Sequence, residues 1–72
     1  MSQYYHAGAM DENNDVLWSD HTRRSAAAAE REALEMARKT GRRAIVETWD
    51  RLHGLRPGDA NAVNDAYMVE SV

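Results

Sequence analysis

The stretch Thr22-Arg23-Arg24-Ser25-Ala26-Ala27-Ala28-Ala29-Glu30-Arg31-Glu32-Ala33-Leu34-Glu35-Met36-Ala37-Arg38-Lys39-Thr40-Gly41 decides the fold. Ala, Leu, Met, Glu, Arg and Lys are the strongest helix formers, because they lose little rotamer freedom on a helix and none is branched at Cβ. Asp20 or Thr22 can cap its first turn through a side-chain oxygen, and Gly41 can take the left-handed conformation that closes it. The spacing therefore predicts a helix reaching Lys39. At 3.6 residues per turn, Ala26, Ala29, Ala33, Leu34, Met36 and Ala37 share one half of the cylinder, and Arg24, Arg31, Glu35, Arg38 and Lys39 share the other. A face made mostly of alanine lets a sheet approach the helix axis closely, with Leu34 and Met36 supplying most of the bulk.

The sequence flanking this helix reads as strands. Upstream, Tyr4-Tyr5-His6-Ala7-Gly8-Ala9-Met10 runs into the turn formers Asp11-Glu12-Asn13-Asn14-Asp15, and Val16-Leu17-Trp18 resumes the apolar character, which is the pattern of a β-hairpin. Downstream, Ala44-Ile45-Val46-Glu47-Thr48-Trp49 is short, β-branched and aromatic, a third and central strand. Pro57-Gly58 then reverses the chain. Asp59 can cap a short helix over Ala60 to Ala66, after which Tyr67-Met68-Val69 is read as a final strand, the alternative being one weak helix over the whole tail. The expected fold is α+β, an antiparallel sheet of three to four strands with one helix packed on one face in the order ββαββ, and the opposite face has nothing in the chain to cover it.

Size and charge narrow the function. A single domain of 72 residues buries about 60% of the surface its unfolded chain exposes, so its core is thin. There is no cysteine to staple it and no Phe to fill it, which leaves self-association or a larger partner as the supplement. No apolar run approaches the roughly 20 residues of a membrane span, and Met1 to Met10 lacks the basic and apolar regions of a secretory leader, so a cytoplasmic protein is expected. The net charge of -3 is distributed in blocks. All four charges in residues 1–20 are acidic, all nine cations lie in residues 21–56, and the tail is acidic again. Eight of the nine cations are Arg, whose planar fork suits carboxylates and phosphates.

The individual candidates follow from these blocks. Glu30 sits near the middle of the apolar half of the helix, where a carboxylate needs water or a partner such as Arg23, another Arg or the Trp18 N–H. Asp11, Asn13 and Asp15 imitate the opening of a calcium loop, but Val16 stands where that loop needs Gly and Thr22 where it needs Glu, so a polar turn is expected. His6, His21 and His53 have no metal-ligand spacing and read as surface or strand-end residues. Ser19, Ser25, Asp50 and the histidines supply the residue types of a hydrolytic triad without the strand-turn-helix context that a nucleophile needs. No glycine-rich phosphate loop is present. A non-catalytic protein without metal or cofactor is therefore expected. The residues expected to meet a protein partner are the acids Asp11, Glu12, Asp15, Asp20, Glu30, Asp59 and Asp65 together with Trp18 and Trp49. Arg23, Arg24, Arg42 and Arg43 bracket the helix and give an alternative, a small nucleic-acid-associated regulator, disfavoured because the acidic blocks more than cancel the patch. A structural homo-oligomer, with a homodimer as its simplest form, is the third reading.

Taken together, the Tyr4 to Trp18 hairpin, the Ala/Arg/Glu helix, the Ala44 to Trp49 strand, the acidic ends and the missing cysteine resemble the small phage and mobile-element proteins of the anti-CRISPR class. The resemblance spans the whole chain and lies in its plan, with no motif to assign a role to any one residue. It implies a stoichiometric inhibitor that binds a CRISPR-Cas effector subunit in a bacterial cytoplasm and blocks DNA binding or nuclease recruitment.

Overall fold

The computed structural model of the chain describes residues 3–50 and 63–70. The elements run β1 (Gln3–Met10), β2 (Val16–Trp18), α1 (Ala26–Thr40), β3 (Arg43–Asp50) and β4 (Val63–Val69). The four strands form one antiparallel sheet in the order β2-β1-β3-β4, so the ββαββ plan read from the sequence is the fold. β4 also takes in Val63 to Ala66, so that part of the tail is strand where a short helix was expected, and the tail is not one weak helix over Val63 to Val69. Asp59 and residues 60–62 lie outside the described residues.

α1 begins later than its sequence allows. Ser25 is the N-cap, with Oγ accepting the Ala28 N–H at 3.4 Å, and neither Asp20 nor Thr22 fills that position. The reason is upstream: Arg23 exchanges two backbone hydrogen bonds with Tyr5, at 2.8 and 2.7 Å, and this bridge holds the chain extended until Ser25. At the other end Gly41 adopts φ 71°, a left-handed conformation that costs least without a Cβ, and its N–H returns to the Ala37 carbonyl. Arg38 and Lys39 in the last turn complement the negative end of the helix dipole.

The hairpin turn is closed by Asp11, whose Oδ1 accepts the N–H groups of Asn13 and Asp15, both at 2.9 Å. Asn14 sits at φ 67°, which Asn tolerates better than most residues. β1 then pairs with β3 along its whole length, from Gln3 opposite Asp50 to Met10 opposite Arg43.

One face of the sheet carries the helix. Ala29 and Ala33 of α1 meet Ala7, Ala44 and Val46 of the central strands, and all five are buried. Tyr5, Leu34, Met36, Ala37, Tyr67 and Val69 pack around their margin. Val46 is the largest fully buried side chain among the described residues, so the core is as thin as the composition implies. α1 lies over β1 and β3 and barely reaches β4. No helix among the described residues is long and apolar enough to cross a membrane.

The opposite face departs from expectation. Side chains alternate along a strand, so His6 and Gly8 of β1 and Ile45 and Glu47 of β3 point away from α1. All four are buried nonetheless. That face is not the bare surface expected from the sequence.

The tight alanine contact makes a sharp prediction. Replacing Ala33 with Leu pushes α1 off the sheet, and urea denaturation should show a loss of about 1–3 kcal/mol with little change in slope. A neutral or stabilising outcome would mean that the helix does not approach the strands this closely.

Candidate functional site

The buried polar cluster behind the sheet is built by strand register. His6 lies directly opposite Glu47, and Gly8 lies opposite both Ile45 in β3 and Trp18 in β2. The His6 ring is 3% exposed and Glu47 is 4% exposed. His6 Nδ1 is 2.9 Å from Glu47 Oε1, and Nε2 is 2.7 Å from the Ser19 carbonyl. With acceptors at both nitrogens, the doubly protonated ring can donate twice, whereas a neutral ring leaves one contact without its proton. Trp18 stacks on the imidazole, with centroids 4.9 Å apart and planes 17° from parallel. Gly8 makes room for the indole: a Cβ there would stand 2.6 Å from Trp18 and 2.7 Å from Val16. Desolvation pulls the His6 pKa down, but the Glu47 hydrogen bond, the Ser19 carbonyl and the charges of Glu47 and Glu32 together raise it above 6.5. His6 is thus a buried partner of Glu47 and not the surface residue expected.

A second network lies at the surface before α1. His21 Nδ1 is 2.8 Å from Asp20 and its Nε2 is 2.8 Å from Glu32, while Arg23 Nε reaches Glu32 at 3.3 Å. The Ser19 hydroxyl donates to the His21 backbone carbonyl at 2.7 Å instead of to an imidazole, so no base activates it. Ser25 is occupied as the helix cap. Among the described residues no three His, Cys, Asp or Glu side chains gather as metal ligands.

Glu30 finds a partner from the edge strand β4. The Tyr67 hydroxyl of β4 donates to its Oε2 at 2.7 Å, where the sequence suggested Arg23 or Trp18, and those two turn to Glu32 and His6. Burial, then the Glu30 hydrogen bond and charge, push the Tyr67 phenol up to about 12.

The expected partner residues divide by location. Glu12, Asp15 and Asp20 are exposed along the hairpin and its exit, with Trp18 half-buried between them. Asp11 has its carboxylate turned onto the turn backbone. Trp49 is in β3 opposite Tyr4, and Asp65 is exposed on β4 at the other edge of the sheet. Glu47, Glu32 and Leu17 were not singled out by the sequence. Leu17 is 49% exposed, because β2 is the edge strand next to β1 and α1 packs mainly on β1 and β3.

The candidate arginines are largely engaged. Besides Arg23, the Arg24 guanidinium lies 5.3 Å from the Tyr4 ring centroid, and Arg42 Nη1 donates to the carbonyls of Ala9 and Asp15 at 3.5 and 3.4 Å. Arg43 is exposed at the start of β3. Together with Arg38 and Arg42 it rims a groove of about 670 Å³ between α1 and the end of β4, and Leu34, Ala37 and Val69 are among its apolar lining.

Two titrations follow from these contacts. Because the folded His6 pKa is raised, the stability it contributes is complete below pH 6.5 and is lost as pH rises through the folded value. The imidazole resonances should therefore titrate with a midpoint above 6.5, and urea stability should fall over the same interval; a midpoint below 6.5 would contradict the pairing. Difference absorbance between the protein and its Tyr67→Phe variant should place the Tyr67 ionisation at about 12, and Glu30→Gln should lower it.

In comparisons with known protein families, curated proteins and solved structures, no match to this chain is found.

Proposed function

We propose that this chain is a non-catalytic protein-binding inhibitor that meets its partner along the β2 edge of the hairpin. The observation that carries the reading is Leu17, half exposed on a three-residue edge strand. Glu12 and Asp15 stand on one side of it and Asp20 on the other, all exposed. An apolar anchor inside a charged rim is the arrangement in which a few residues carry most of a binding energy. The anionic rim selects a cationic surface and speeds the encounter with it. The anti-CRISPR resemblance supplies the class of partner, since CRISPR effectors hold their heteroduplex in a positively charged channel that an acidic edge can occupy. Support for a non-catalytic role comes from the Ser19 hydroxyl and the His6 ring, both committed to internal contacts. The nucleic-acid alternative is weakened because three of its four guanidiniums are held by Glu32, Tyr4 and backbone carbonyls.

The test is functional and then physical. Bacteria with an active CRISPR-Cas system should become permissive to a targeted phage when they express the chain, and the purified effector should bind it with an affinity that falls as salt rises. Leu17→Ala should weaken binding by at least about 2 kcal/mol, and Glu12→Lys with Asp15→Lys should slow association most. Unchanged immunity across the effector types, or a Leu17→Ala variant as active as the parent, would remove the proposal.

A further inference from the structure

Among the described residues β4 is an edge strand. Its inner side pairs with β3, and no described strand pairs with its outer side. Edge strands are usually guarded by brevity, proline, lysine or a bulge, because their free N–H and C=O groups are a template for another strand. β2 is guarded by its length of three residues. β4 has seven residues, with no Pro, Gly, Lys or Arg, and the only break in its register lies at the Val63 end.

The two ends of this edge differ in charge. Arg38, Arg42 and Arg43 surround the Val69 end, where Glu70 is the only acid in the groove they rim. Neither Arg38 nor Arg43 is held by an ion pair among the described residues, and both are exposed. Asp65, also exposed, lies toward the other end. A second β4 laid antiparallel about a two-fold axis near Tyr67 carries the Asp65 of each copy to the arginine end of the other, so one favourable contact is made twice. An in-register parallel arrangement would instead set Asp65 beside Asp65. The antiparallel pairing also lets Ala66 of one strand face Met68 of the other, small against large, on the side away from α1.

We propose that two copies of this chain pair through antiparallel β4 strands into one continuous sheet, with Asp65 of each copy, on the side that carries α1, against Arg38 of the other. The pairing gives a thin-cored domain the additional burial that its size calls for. It uses the edge opposite the hairpin and does not depend on what β2 binds.

Sedimentation equilibrium of the full chain tests this directly. The mass should rise from 8.1 kDa toward twice that value with concentration in the micromolar range, and less steeply in high salt. Hydrogen exchange at the β4 amides should slow over the same range. Asp65→Lys, or Arg38→Glu, should weaken the dimer by about tenfold or more, and combining the two should restore it. Both positions are exposed, so circular dichroism should stay unchanged. A monomer up to millimolar concentration, a dimer indifferent to Asp65→Lys, or a combined variant that fails to recover would each overturn the proposal.

Discussion

The close contact between α1 and the two central strands sets the limits of everything else in this fold. It is made by Ala29 and Ala33 against Ala7, Ala44 and Val46, and such small side chains bring the helix near the sheet over a narrow strip. A strip that narrow rests mainly on β1 and β3 and touches β4 only along its margin. The exposure of Leu17 on one flank and the arginine-rimmed groove on the other are two results of the same geometry. Larger residues on the helix would have widened the core and hidden both flanks, at the cost of lifting the helix away from the strands.

With so little apolar volume on the helix side, the reverse side holds order by polar means. His6 and Glu47 form a buried hydrogen-bonded pair between the central strands, ionic when His6 is protonated, with Trp18 laid over the imidazole and Gly8 vacating the space the indole needs. A buried pair of this kind contributes little net stability compared with well-packed hydrocarbon, but losing one partner strands a charge and is expensive. Its value here lies in register: sliding β1 by one residue against β3 would face His6 away from Glu47 and turn Ala7 out of the core. The pair and the alanine strip thus specify the same alignment from opposite faces.

Much of this was legible in the amino acids. The hairpin, the helix with Gly41 behind it and the β-branched third strand follow from local propensity and turn chemistry, which act over a few residues. What local chemistry does not encode is which strand residue faces which. His6 and Glu47 are 41 positions apart, so their meeting depends on how a helix-linked pair of strands aligns. The start of α1 was misplaced for a related reason, because Thr22 and Asp20 are adequate caps and only the bridge between Arg23 and Tyr5 removes them from the role. Glu30 could be recognised as needing a partner, but the Tyr67 hydroxyl arrives from the last strand in the chain.

The central position of β1 has a consequence for synthesis. Of the described elements β1 is made first, yet its long partner β3 follows only after the hairpin and helix. Translation adds about 5–20 residues per second, so roughly two to eight seconds separate the emergence of His6 from that of Glu47. During that interval the nascent hairpin has β2 on one side and nothing on the other, while the alanine helix has no surface to rest on. The sheet closes late, when β3 pairs with the waiting hairpin and β4, made later still, adds to the free side of β3.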